Sequence, residues 1–573
     1  MYPRLVTAKS GKYTYLRLLE KVKKNGCWVE KVLVNLGRQD IEGRKVLGVL
    51  LKKLRRFTDE VLVTPQEVET KQCREYGPFL VSQKLWQEIG LEKWINEHCG
   101  KIAPVSLGEP GVLAMVLNRL TAPRSKLALY DWMPTVYLGK WQTKEFANFP
   151  EDPTDFAEWF YRTMDWLIKG KNKEKIEQSI GDWVKTLFPA KVVFYDITNI
   201  QFEGWEKLKQ ARFGHIKLGR KNHKQILLGI VMVEGLPVAC HIFRGNRAEK
   251  TSLVWIKEKV KKQFNVGRMI FVCDRGMISE SNLLEIESAN DGYIVALKRR
   301  RCDEVKPLIE KDLALFTTIK TDDDGEILLS AWEAESKEGK RRIVVFNPMR
   351  AKEEIKKRET IIKLLGIELQ DLLYSVKSGH RKKIKDIVAC AENILKHKNG
   401  KRYFVYKSEK DGHFEYGINM EGVAMEEKLD GKFVIKTTEQ NLSLKEVVLK
   451  YKELMDVEDG FREIKDFIRV APVFHWRYRR VKAHVFICVL SLLLERYLEQ
   501  KLQKAGIQLS ARKAIEKLKT IKVVDNQVGP LIIKYVTSPN QELNKILAAC
   551  GIFKLPKMLP DIKRVKEVRG CVM

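Results

Sequence analysis

KVVFYDITNI, residues 191–200, is an apolar run that ends in an acid and a threonine. Val192, Val193, Phe194 and Tyr195 are β-branched or aromatic, and such a run reads as a buried strand. Asp196 at its end carries a desolvation cost unless something pairs with it. Two further apolar runs follow, QILLGIVMV (225–233) and PVACHIFRG (237–245), joined by the turn EGL as a hairpin. RAEKTSLVWIKEKVKKQF has helical spacing, and RMIFVCDRG (268–276) is another apolar strand, again ending in an acid, Asp274.

The order strand, hairpin, helix, strand fits the first half of an RNase H-like fold, in which the first and fourth strands lie side by side. A strand–helix–strand crossover brings such strands together. Asp196 and Asp274 then face one crevice. Two carboxylates are hard oxygen ligands, and a divalent cation such as Mg²⁺ answers their desolvation cost.

Working outward, the fold class expected is α/β. An RNase H-like catalytic core is interrupted by a mixed β insertion and preceded by a small β unit and an α-helical domain. The segments are a β-rich unit (1–65), with TYLRLLEKV and CWVEKVLVNLG joined by KKNG, and a helical, DNA-binding region (66–188). Then come the first part of the core (189–300), the insertion (301–440), the second part of the core (441–510) and a basic C-terminal region (511–573).

YKELMDVEDGFREIK (451–465) lies in the second part and holds five acids: Glu453, Asp456, Glu458, Asp459 and Glu463. At about 100° per residue, positions seven apart form one slowly drifting stripe. Tyr451, Glu458 and Lys465 make such a stripe, with Leu454 read on the same side. Glu458 is therefore the acid framed by a tyrosine and a lysine. An ordinary salt-bridged helix explains the spacing equally well.

Lysine and arginine number 105 against 74 acids, a formal net charge of +31. That excess favours a polyanionic partner, most simply nucleic acid. Ten cysteines are scattered without C-x-x-C pairs or zinc spacing, as in a reduced intracellular protein. The N-terminus has no apolar signal-like stretch. VFICVLSLLL (485–494), the longest apolar run, is too short to span a bilayer and reads as a core helix. The localisation expected is cytoplasmic, with the nucleoid.

The spacing Tyr451, Leu454, Glu458, Lys465 resembles the Y-x2-R-x3-E-x6-K signature of a branch of bacterial insertion-sequence transposases with a DDE domain. YDITN (195–199), FGHIK (213–217), GLPV (235–238), FRGNRAEKT (243–251), CDRGM (273–277), DGKFVIKTT (430–438), VEDGFREIK (457–465) and RVAPVFHW (469–476) are similar to that branch in order and spacing. Leu454 departs from it, standing where the signature has arginine. Arg462 or Lys452 can stand in for the lost phosphate contact, although neither lies on the stripe.

The resemblance implies a catalytic and metal-binding triad of Asp196, Asp274 and Glu458 around two Mg²⁺ ions, with Mn²⁺ as the substitute ion. The ions would serve in-line phosphoryl transfer: cleavage at an element end, then strand transfer of the freed 3′-OH. It also implies double-stranded DNA as partner, element ends and target alike, and a homodimer that joins two ends. Tyr451, Lys465 and Arg462 would contact DNA. Thr198 alternates to the face of Asp196, and His215 and Lys217 lie in the loop before the second strand. Arg299 and Arg300, in KRRR (298–301), are further DNA-binding candidates, as are HRKK (380–383) and RYRR (477–480). Trp332 and Trp476 are candidates for base stacking or for the core. Two rivals stay open: an inert DNA-binding derivative, and a nuclease that cuts without joining.

Overall fold

The computed structural model describes residues 4–24, 26–54, 68–101, 106–139, 150–188, 192–203, 208–214, 223–247, 261, 268–273, 279–297, 299, 304–322, 324–337, 339–528, 531–560 and 563–564. The chain forms two compact units. One comprises residues 1–80, 133–139 and 516–573, the other residues 81–132 and 140–515.

In the first unit, β1 (Arg4–Ser10), β2 (Tyr13–Lys24) and β3 (Cys27–Arg38) form a three-stranded antiparallel sheet, with the β2–β3 hairpin where KKNG signalled it. Helix α1 (Ile41–Leu54) packs on β3. A second sheet joins distant parts of the sequence. Strand β4 (Val68–Glu75) pairs antiparallel with Lys522–Val528, which in turn pairs with Leu531–Val536. Arg74 donates to both carboxylate oxygens of Asp525 at 2.7 Å across this sheet. The helical reading of the region from residue 66 missed β4, because VETKQCRE is too polar to announce a strand.

The second unit is a mixed α/β structure around a nine-stranded sheet. Its strands are β5 (Val192–Gln201), β6 (Gln225–Val233), β7 (Leu236–Arg244), β8 (Ile270–Cys273), β9 (Gly292–Ala296), β10 (Thr317–Thr321), β11 (Ile327–Lys337), β12 (Lys340–Phe346) and, after the small hairpin of β13 (Phe404–Lys407) and β14 (Glu415–Ile418), β15 (Lys432–Thr437). The order across the sheet is β10-β11-β12-β15-β9-β8-β5-β6-β7. Strands β5, β6 and β7 form an antiparallel meander, and β5, β8 and β9 run parallel. The expected adjacency of 191–200 and 268–276 is therefore present. β6 and β7 are buried almost throughout, as near-continuous apolar strands covered on both faces must be.

Residues 301–440 extend this same sheet with four strands instead of forming a sheet of their own. Leu297 N–H donates to Val434 O and continues the β9–β15 edge. What stands apart from the sheet is a helical pair, Pro348–Lys377 and Ile384–Lys396, with its own core of Leu365, Leu369, Leu372, Ile387 and Leu395.

Helices cover the sheet. α2 (Gly108–Thr121) is buried all round, as an apolar central helix should be. It packs against α3 (Pro153–Leu167) and α6 (Tyr478–Lys504), and α4 (Asn172–Leu187) packs on β7 with α6. VFICVLSLLL is the buried centre of α6. The Lys173 ammonium bonds Glu177 and the Cys240 carbonyl at 2.8 Å, and Cys240 N–H donates to Glu177, tying α4 to β7. The remaining helix, α5 (Leu444–Asp466), lies on β5, β8 and β9. Among the described residues no helix is long and apolar enough to cross a membrane.

Candidate active site

Strand β5 carries Asp196 half-buried near the middle of its length. The carboxylate accepts from the N–H of Ile197 at 2.7 Å. Thr198, two residues on, is buried on the same face. On one side β5 pairs with β6, Asp196 opposite Ile230. On the other it pairs in parallel with β8: Val192 with Ile270, Val193 with Phe271, Phe194 with Val272. β8 ends at Cys273. Asp274, His215, Lys217 and Arg300 lie outside the described residues.

Helix α5 brings the third acid. It starts at a capping box: Ser443 Oγ accepts from Glu446 N–H at 3.2 Å, and the Glu446 carboxylate accepts from Ser443 N–H at 2.7 Å. Val447, Leu454 and Phe461, spaced by seven, form its buried stripe. Tyr451, Glu458 and Lys465 form a neighbouring stripe, about 40° round the helix. Leu454 thus belongs to the core stripe, only 4% exposed, and not to the stripe of the acid where the spacing had put it. Burying it contributes about 1.5–3 kcal/mol.

Tyr451 packs against Phe433 of β15, ring centroids 5.5 Å apart. Tyr451, Lys452, Glu458 and Arg462 form one wall of a cleft of about 820 Å³. Leu297, Arg299, Phe433, Arg350 and Lys357 also line it. Glu458 is exposed to it. Asp196 and Lys465 are not on its lining; Asp196 stands on a strand against which α5 packs.

The other acids of 451–465 that the structure describes have structural surroundings. Glu453 is 3.5 Å from Lys450, which also reaches Glu234 in the β6–β7 turn at 3.2 Å. Asp459 pairs with Arg462 at 3.0 Å. Glu463 is pushed up by burial, with Arg496 pulling it back.

Arg299, a DNA-binding candidate from the sequence, has its guanidinium engaged within the fold. It is buried, and its guanidinium donates to the carbonyls of Leu429 (3.1 Å) and Lys432 (3.0 Å) and to Glu354 (2.9 Å). Those donors are spent inside the fold, so no phosphate contact is assigned to it. Burial alone would raise the Glu354 carboxyl, but Arg299, Gly431 N–H and Arg350 hold it down to about 2. Trp332 packs in a core with Val344 and Val434, whereas Trp476 is exposed. Arg350 and Lys357 were missed on the cleft wall. Their signal was the basic run MRAKEEIKKR, which reads equally well as a solvated helix.

The model of the transposase DDE domain family matches residues 188–494. The chain belongs to this family. The match begins just before β5 and ends inside α6, so it takes in the nine-stranded sheet, α5 and the cleft. A search of curated proteins finds no match. Among solved structures, a cryo-EM structure of a piggyBac transposase synaptic complex with hairpin DNA is similar to the chain. The identity is 10% and the TM-score 0.36, over 78% of this chain and 82% of that one.

In this DDE-family chain, among the described residues, no group of three or more His, Cys, Asp or Glu is arranged to hold a metal ion. Asp274 is outside that set. The donor chemistry nonetheless suits a hard divalent cation: Asp196 is a half-buried carboxylate, and Glu458 sits on a helix packed over the same strand.

Proposed function

We propose that the protein is an active DDE transposase that cleaves DNA at insertion-sequence ends and transfers the freed 3′-OH into target DNA. The observation that carries this reading is the parallel pairing of β5 with β8 beneath α5. Phe194 pairs with Val272; in the sequence Asp196 follows the first by two residues and Asp274 follows the second by two. The order β7-β6-β5-β8-β9, three antiparallel strands followed by two parallel ones, supports an RNase H-like core. Residues 301–440 are then an insertion that widens the core sheet.

Asp196, Asp274 and Glu458 would hold two Mg²⁺ ions. Bound there, the ions supply Lewis-acid stabilisation of the attacking and leaving oxygens in an in-line displacement. In the first reaction water attacks the phosphorus, the P–O3′ bond breaks, and a 3′-OH and a 5′-phosphate result. In the second, that 3′-OH attacks a target phosphodiester: a new P–O3′ bond joins the element end to the target, the target's own P–O3′ bond breaks, and a target 3′-OH leaves. Tyr451 donates its hydroxyl to a phosphate oxygen from the cleft lining, Arg462 adds positive charge on the same lining, and Lys465, about 21 Å further along α5, contacts the DNA beyond the cleft. Thr198 orients the Asp196 carboxylate from the same strand face. Double-stranded DNA is the partner, and two copies of the chain bring two element ends together.

The test is a supercoiled plasmid carrying the element's ends, incubated with the protein and Mg²⁺. Cleavage followed by joined products is expected. Cleavage without joining would leave a nuclease, and binding without cleavage an inert derivative.

A further inference from the structure

A second cavity, sharing no lining residue with the α5 cleft, lies where α2, α3 and the segment before α6 meet. It measures about 360 Å³, at the small end of ligand-sized sites. Six cations line it: Arg119, Arg124, Lys126, Arg469, Arg477 and Arg480. No acid is among the lining residues.

Two of these cations are already engaged. Arg480 pairs with Asp165 at 3.2 Å and Glu158 at 3.4 Å. Arg119 donates to the carbonyls of Arg469 at 3.1 Å and Arg124 at 2.6 Å. Lys126 is different. It is 3% exposed, lines the cavity, and makes no hydrogen bond or ion pair among the described residues. Burial, with Arg119 adding to it, pushes Lys126 down to about 7. A buried ammonium without a counter-charge is costly, and a bound anion removes that cost.

The two imidazoles present add no further positive charge. Burial, with Lys126, Arg480 and Arg119 beside it, pushes His475 down to about 3, and His484 also lies well below its ordinary value. Both stay neutral; His475 packs edge-on against Tyr161 at 5.8 Å.

At the same cavity Phe474 is 63% exposed and Trp476 56% exposed. The Arg477 guanidinium lies 4.6 Å from the Trp476 ring centroid. Large exposed aromatics beside a cationic pocket are the combination on which nucleic-acid bases stack while phosphates are neutralised.

We propose that this cavity binds a backbone phosphate of DNA, with Trp476 and Phe474 as the stacking surface for an adjoining base. The choice of DNA over a small anion rests on the transposase reading above and on those two rings.

The experiment uses the full chain and fluorescence anisotropy with labelled duplex and single-stranded DNA over a range of salt. Arg124→Gln and Lys126→Met should each weaken binding roughly 3–10-fold and lower the slope of log K against log salt by about 1. Trp476→Ala should weaken single-strand binding by roughly tenfold, and duplex binding less. Arg124 and Trp476 are exposed, so their variants answer even if Lys126→Met fails to fold. Unchanged affinity and slope in Arg124→Gln together with unchanged affinity in Trp476→Ala overturns the proposal. So does inorganic phosphate alone raising the wild-type Tm through Lys126 while DNA binding ignores the substitutions. A wild-type protein that never cleaves, yet whose DNA affinity responds as stated, fails the catalytic reading and upholds this one.

Discussion

Leu454 and Glu458 stand about one turn apart on α5 in opposite environments: Leu454 is buried against the core, while Glu458 is exposed on the cleft wall. The position where related signatures carry arginine is here a packing position. Leu454→Arg therefore exchanges a buried apolar side chain for a charge. It should destabilise the protein by roughly 3 kcal/mol, read as a lower Tm, with no gain in DNA cleavage. An unchanged Tm with faster cleavage would mean that the guanidinium reaches the cleft after all.

The proposed acids make a separable prediction. Asp196→Ala, Asp274→Ala and Glu458→Ala should each abolish Mg²⁺-dependent cleavage while gel-shift binding stays near wild type. Wild-type cleavage by Glu458→Ala would assign the third ligand to another residue. Loss of binding in all three would point to misfolding.

Arg299→Ala tests the structural role of that arginine. Removing it takes one of three donors from Glu354, Arg350 and Gly431 N–H remaining, and leaves two carbonyls without its guanidinium; breaking a largely buried pair costs about 3–5 kcal/mol. The Glu354 carboxyl is held down to about 2 from an ordinary 4.5. Its contribution is thus complete above the ordinary value and lost as pH falls toward 2. In Arg299→Ala the acid unfolding midpoint should move up, and the salt slope of DNA binding should not change. A normal Tm with a shallower slope would restore the phosphate role.

Glu495, buried on α6, gives the opposite sign. Burial pushes its carboxyl up to about 8; Arg496 pulls against this, and Glu463 and Glu499 push with it. The folded state takes up the proton more readily than the unfolded one, so stability is full below about pH 4.5 and falls as pH rises through about 8. Glu495→Gln should match wild type near pH 5 and melt roughly 3–6 °C higher near pH 8.5. Equal melting curves at both pH values would remove Glu495 as a source of pH dependence.

Much of the DDE domain could be read in the chain. β5, β6, β7 and β8 are dense apolar runs, because strands covered on both faces leave little room for polar residues. The seven-residue spacing in 451–465 likewise marks α5 locally. β4 stayed hidden, since its polar side chains sit on a sheet completed by strands more than 400 residues away. Lys126 stayed hidden too: PRSKLALY reads as a plain turn until α2, α3 and α6 close around it.

The sequence by itself determined what short-range periodicity encodes: buried apolar strands, a helix with Glu458 on one stripe, and a charge that calls for a polyanion. Only the tertiary structure decided which stripe of α5 faces the core, that Arg299 is spent on carbonyls and Glu354, and that a solitary buried lysine meets five arginines. Those outcomes depend on which distant segments are packed together, and neither burial nor a missing counter-charge exists until the chain has folded.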